Sequence, residues 1–151
     1  MRLLSLVSLL AYMSYLGLLF WQGCDAAAWT TLGLVCFALS IALFWWTVIT
    51  TKRDRLRVAY TDADPSTIHV GGPYAHVRHP FYLSYIIFWV GTALVAGSWQ
   101  GVPALILILW YIHIAQDEER RFRSSLLSTG YATYRARIGM LLPRLGSSRR
   151  R

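Results

Sequence analysis

The sequence predicts an all-α integral membrane protein. It should have about four transmembrane helices, the last two forming a hairpin, and a cytoplasmic helical segment at the C-terminus. Three observations predict this class. The 151 residues are 56% hydrophobic and yet carry a formal net charge of +8. Apart from Arg2, the Lys and Arg, fifteen in all, fall in two blocks, 51–80 and 117–151. Apolar runs fill the remainder, which is the distribution of a membrane protein with its basic loops on one side. Residues 1–151 read as a single domain, a size that suits one.

The first run, Leu3 to Trp21, is long enough to cross a hydrocarbon core of about 30 Å at about 1.5 Å per residue. A signal peptide is the competing reading, since Arg2 precedes the run and Ala26, Ala27 and Ala28 follow it. The run exceeds the usual apolar core of a signal, about 7–15 residues. It also carries Tyr12, Tyr15 and Trp21, so a retained helix is expected. Ala28 to Thr50 is the second span, with Trp45 and Trp46 placed for an interfacial aromatic belt. Phe81 to Gly97 is the third, started by Pro80, whose missing N–H costs nothing in a first turn. Val102 to Gln116 is the fourth. Only Ser98 to Gly101 link it to the third, so those two helices should form an antiparallel hairpin.

Orientation follows from the arginines. The loops 22–27 and 98–101 lack Lys and Arg and should be outside, whereas 51–80, 117–151 and the N-terminus should be cytoplasmic. A prokaryotic cytoplasmic membrane is the expected location. The basic tail, ending Arg149-Arg150-Arg151, suits anionic lipid headgroups, so membrane lipids are expected partners and nucleic acid is not. Oligomeric state is not legible. Cys24 and Cys36, the two cysteines, make neither a disulfide framework nor a zinc site. No metal is expected.

Two stretches carry groups capable of chemistry. In Ile68 to Tyr85, a Gly71-Gly72-Pro73 turn precedes Tyr74, His76, Arg78, His79 and Tyr82, with Pro80 opening a helix. A helix N-terminus beside an arginine fork favours an anionic group. Arg78 and His79 are the candidates for chemistry. In Gln116 to Tyr134, the fourth span runs on as a charged helix. Asp117, Glu118 and Glu119 are three of the chain's seven acids, gathered where a cationic ligand would need a partner. Each feature also has a plain reading. Arg78 and His79 suit juxtamembrane anchors. Asp117–Arg121 and Glu119–Arg123 have favourable i,i+4 spacing for surface ion pairs. His113 reads as a hydrogen-bonded bundle residue, and His76 and His79 lack further ligands for a metal.

The combination is more specific than its parts. Gly72-Pro73-Tyr74, then Arg78-His79-Pro80-Phe81-Tyr82, Glu118-Glu119, Tyr131-Ala132-Thr133-Tyr134 and Pro143 follow one another over about residues 66–143. This series resembles the isoprenylcysteine carboxyl methyltransferase family and its phospholipid methyltransferase relatives. The resemblance implies a transmembrane helical fold with a cytoplasmic pocket for S-adenosylmethionine, and methyl transfer to a lipophilic small-molecule or lipid substrate. Family positions around the cofactor fall on Ser66, Thr67, Ile68, His69, Tyr74, His79, Pro80, Tyr82 and the pair Glu118 and Glu119. Glu119 takes the place of the family's cofactor-binding glutamate. One position departs: prenylcysteine enzymes place a substrate-engaging arginine one turn before that glutamate, where this chain has Ala115.

Overall fold

The computed structural model of the protein describes Met13 and residues 27–52, 68–96, 98–125 and 127–144. Apart from Met13, the expected first span, 3–21, lies outside these residues, as do Ser66 and Thr67. Among the described residues there are four α-helices and no strand: α1 (Ala27–Lys52), α2 (Pro80–Ala96), α3 (Ser98–Ser124) and α4 (Ser128–Arg137). A 3₁₀ turn, Gly72–Ala75, precedes α2. The all-α expectation therefore stands. One helix, over Ala28–Thr51, is long and apolar enough to cross a membrane, and α2 is a shorter apolar helix.

The side chains of α1 are sorted in the opposite sense to a water-soluble helix. Its buried positions hold Gly33, Ser40, Thr47 and Thr51, recurring on one face at roughly helical spacing. Trp29, Leu32, Val35, Leu39, Trp45 and Ile49 are exposed. Small and hydroxylated residues inside with large apolar ones outside is the arrangement that lipid favours, because helices there gain from close approach rather than from escaping water. The buried hydroxyls stay satisfied: Thr47 donates to the Leu43 carbonyl at 2.7 Å and Thr51 to Thr47 at 2.7 Å.

The chain divides into two compact units, each built from two stretches of sequence: Met1–Ala42 with Ser84–Ile112, and Leu43–Leu83 with His113–Arg151. In the first, α1 and α2 run antiparallel. Gly33 lies against Val95 and Gly91, Phe37 stacks near Phe88 with ring centres 5.3 Å apart, and the Ser40 hydroxyl donates to the Ser84 carbonyl at 2.8 Å. A Cβ on Gly91 would sit 2.9 Å from the Phe37 ring and 3.0 Å from Cys36 Cβ, so glycine sets the approach. One residue separates α2 from α3, shorter than the expected link because the helix begins at Ser98. The Tyr85 and Tyr111 rings, 5.3 Å apart, show α3 folding back along α2 as the hairpin reading requires.

The second unit holds the turn, the start of α2, the end of α3 and all of α4. Gly72 has φ of +56°, and a Cβ there would sit 2.8 Å from Thr50 Cγ2, so two independent demands select glycine. Arg78 N–H donates to the Gly139 carbonyl at 2.9 Å and His79 N–H to the Met140 carbonyl at 3.1 Å. The segment 138–144 thereby straps the Arg-His-Pro backbone in place. Gly139 turns tightly enough that a Cβ would overlap the Leu142 carbonyl oxygen.

Candidate functional site

The phase of α3 decides what its two glutamates do. Ala104, Leu107, Tyr111 and Ala115 are buried at intervals of three and four, and Glu119 is the next position on that face. It is 3% exposed. Glu118, one residue earlier, is turned some 100° off that face, and its side chain stays about a third exposed.

Glu119 lies at the centre of a dense polar cluster. Its Oε1 accepts from Arg78 Nε at 2.8 Å and lies 2.7 Å from Arg78 Nη2. His79 Nε2 is 3.4 Å from the same oxygen, and Arg135 Nε is 3.4 Å from Oε2. Beside it, the buried His79 Nε2 and Tyr131 hydroxyl have no hydrogen-bond partner among the described residues. Burial alone would raise its pKa, but the His79 and Arg78 contacts outweigh it and hold the carboxyl down to about 2.

Arg78 is committed to the same cluster. Its Nη1 donates to the Arg135 carbonyl at 3.1 Å and to the Ile138 carbonyl, capping the C-terminal end of α4 with a cation. It is 8% exposed. The guanidinium that the sequence offers for an anionic group is here directed at Glu119 and at the end of α4.

Glu118 has a different setting. Its Oε2 is 3.7 Å from His79 Nδ1. Burial raises its pKa, with His79, Tyr82 and Arg121 acting in the opposite direction. The charge of Glu118 in turn adds to the burial that raises the Tyr74 hydroxyl. Burial also raises Tyr131, and Tyr134 goes to about 12. All three phenols stay protonated near neutral pH. Tyr134 donates to the Tyr74 carbonyl at 2.7 Å, which ties the 3₁₀ turn to α4. The His79 and Tyr82 rings stack at 5.6 Å, His69 lies 5.6 Å from Tyr74, and Tyr131 stacks on Phe122 at 4.7 Å.

The fold thus gathers Tyr74, Arg78, His79, Tyr82, Glu118 and Glu119 from two stretches some 40 residues apart in sequence. Pro80 is buried at the start of α2, and Ile68 lies beside the first turn of α4, 3.5 Å from where a Gly130 Cβ would be. Other expectations are corrected. Asp117 pairs with Arg120 at 2.8 Å, and Glu119 turns inward to Arg78, not to Arg123. His113 is exposed and lies 3.2 Å from Asp117, because its position on α3 is off the buried face. Arg135 and the 138–140 strap were not anticipated. Gly139, two residues beyond a Tyr-x-x-Tyr helix, was the available signal.

Among the described residues, an apolar, outward-facing α1 and a buried acid–arginine–histidine cluster fit a membrane protein with a polar site. The model of the phospholipid methyltransferase family matches residues 28–129, about two-thirds of the chain, and the chain belongs to that family. The match reaches back over the whole of α1, beyond the motif-bearing half. The chain is 28% identical over 137 residues to methanethiol S-methyltransferase 2 of Bradyrhizobium diazoefficiens, covering 86% of this chain and 52% of that protein. It is 26% identical over 97 residues to the protein-S-isoprenylcysteine O-methyltransferase of Schizosaccharomyces pombe, covering 64% of this chain and 37% of that protein. It spans about half or less of the length of these curated relatives. No solved structure matches.

Proposed function

We propose that this protein transfers a methyl group from S-adenosylmethionine to a lipophilic acceptor, with α1, α2 and α3 crossing the bilayer and the Glu118 site on the cytoplasmic side. The observation that carries the reading is Glu118: a partly exposed carboxylate set among His79, Tyr82 and Tyr74. The cofactor presents an ammonium, a carboxylate and a sulfonium, and these residues fit the cationic part of it. Glu118 holds an ammonium or hydroxyl, and the tyrosine faces meet a sulfonium in cation–π contact worth about 0.5–2 kcal/mol. Bound there, the cofactor supplies an activated methyl group for in-line displacement, and the protein's contribution is to hold the two partners in line.

Two kinds of acceptor suit the site. The relatives' names point to thiol and carboxyl acceptors. A carboxylate needs no general base, whereas a thiol or a protonated amine must first give up a proton. A prenylated thiol or carboxyl compound is therefore the leading class, ahead of a phospholipid amine. Ala115, fully buried and lacking the arginine of prenylcysteine enzymes, argues for a smaller acceptor than a prenylated protein.

The test is thermal unfolding of the detergent-purified protein with and without S-adenosylhomocysteine, beside Glu118→Gln. A hundredfold excess over Kd stabilises by about 2.7 kcal/mol. A shift seen in the wild type and lost in Glu118→Gln supports the reading. Folded protein with no shift at millimolar ligand replaces it with a non-catalytic binding or assembly role for the same fold.

A further inference from the structure

We infer that Arg135, in the last turn of α4, receives the carboxylate at the amino-acid end of the cofactor. The inference rests on the cofactor reading above and deepens it, since Glu118 and the tyrosines answer only the cationic part of that molecule. Four observations within the second unit support it.

A carboxylate needs a cation, and the arginines beside the glutamates are not equivalent. Arg78 is 8% exposed and directs its fork at Glu119 and at the Arg135 and Ile138 carbonyls. Arg135 keeps 43% of its side chain exposed and meets Glu119 less closely, with Nε 3.4 Å from Oε2. The Arg78 contacts to Oε1 are at 2.7 and 2.8 Å. A guanidinium is a planar fork of donors, so a contact through Nε leaves its outer edge for a second, bidentate carboxylate.

The backbone under Arg135 is also fixed. Its carbonyl accepts from Arg78 Nη1 at 3.1 Å, and the preceding Tyr134 hydroxyl donates to the Tyr74 carbonyl at 2.7 Å. Less ordering then remains to be done when a ligand binds. Third, the ammonium and the carboxylate of an amino acid hang from one carbon, so the groups that read them must adjoin. Arg135 adjoins Glu119, an acid held ionised at neutral pH. Fourth, polar capacity remains on this flank. The Tyr131 hydroxyl and His79 Nε2 are buried without a hydrogen-bond partner among the described residues. Tyr131 is four residues before Arg135 on α4, so the two share a face of that helix. A buried hydroxyl without a partner calls for an explanation, and the polar end of a ligand supplies one.

Arg121 is the competing cation, because its charge acts on Glu118. It is exposed, however, and water screens it.

Titration calorimetry on the full chain in detergent compares S-adenosylmethionine with its decarboxylated analogue, which keeps the sulfonium and the ammonium. Wild type should bind the intact molecule about tenfold more tightly, the worth of one charge-assisted hydrogen bond. Arg135→Gln should lower affinity for the intact molecule about tenfold and leave that for the analogue within about twofold. Arg121→Gln removes the same charge and should keep the wild-type preference. Circular dichroism checks that each variant is folded.

Equal losses for both ligands in Arg135→Gln would make Arg135 a support for Glu119 and not a ligand contact, which overturns the inference. A preference that survives in Arg135→Gln, or that disappears in Arg121→Gln, overturns it too. So does wild-type protein that binds both molecules equally. Where Arg135→Gln does not fold, Arg135→Lys decides. Lysine keeps the charge without the fork, so the preference should fall to about threefold, and an unchanged preference overturns the role. Folded wild-type protein that binds neither molecule sinks the cofactor reading and this inference with it.

Discussion

The two units of this protein are held together by opposite means. Among the described residues, the unit formed by Met1–Ala42 and Ser84–Ile112 contains no charged side chain. It depends on glycine at the helix contacts, aromatic pairs such as Phe37–Phe88, and the Ser40 hydroxyl reaching between helices. The unit formed by Leu43–Leu83 and His113–Arg151 buries an ion pair and organises a turn, a helix end and a strap around it. The difference follows from the surroundings. Lipid offers no hydrophobic gain for helix association, so shape decides. A polar site has to exclude water from charges, so each buried charge must be answered by another.

The largest predicted effect breaks the second unit. Arg78→Ala leaves Glu119 buried and uncompensated and should cost about 3–5 kcal/mol, read as a lowered unfolding midpoint in detergent. An effect below about 1 kcal/mol would mean that the pair is not buried in the folded protein.

Acid should reach the same pair without a substitution. Glu119 is held at about 2 in the folded protein against about 4.3 when unfolded. Its contribution is complete above the unfolded value and is lost as pH falls from about 5 toward 2, up to about 3 kcal/mol. Glu118 has the opposite sign, since burial raises its pKa. Its contribution is present below the unfolded value and fades as pH rises through the folded one. Glu118→Gln should therefore steepen the acid loss measured by pH-dependent unfolding. A flat profile from pH 5 to 3 in the wild type would contradict the Glu119 environment.

The first unit should be sensitive to volume and indifferent to pH. Gly91→Val forces atoms into Phe37 and Cys36 and should cost about 1–3 kcal/mol. The same pH titration performed on Gly91→Val should run parallel to wild type. A change in its acid slope would show that the two units do not divide the work in this way. Smaller again is Tyr134→Phe, which removes the hydroxyl holding the Tyr74 carbonyl and should cost about 0.5–1.5 kcal/mol by the same melt.

Much of this was legible in the sequence, and unequally so. α1, α2 and α3 follow from apolar runs and from Pro80. Arg78, His79, Tyr82 and the two glutamates were legible as a set through motif spacing. Their division of labour was not. Whether Arg78 faces a ligand or a partner depends on residues 41 and 57 positions away in sequence, Glu119 and Arg135. One clue did lie in plain view: the spacing 104, 107, 111, 115 continues to 119 and not to 118. The role of the 138–140 strap, made by backbone carbonyls, leaves almost no mark on side-chain pattern.

The smallest predicted effect is also the sharpest control on the comparison. Asp117 lies two residues from Glu119 on the same helix and likewise meets an arginine, with Arg120 Nη1 at 2.8 Å from its Oδ1. The geometry resembles that of the buried pair, and the surroundings do not: the Arg120 side chain is 63% exposed and that of Asp117 40%. Water screens the attraction and both side chains lose freedom in making it, so Arg120→Ala should cost no more than about 0.5 kcal/mol, and less with added salt. His113, 3.2 Å from Asp117 on its other side, offers the acid a second partner when the arginine is gone. An unfolding midpoint shifted as far by Arg120→Ala as by Arg78→Ala would mean that distance alone governs these pairs. A negligible shift would place the difference in burial, where the phase of α3 puts it.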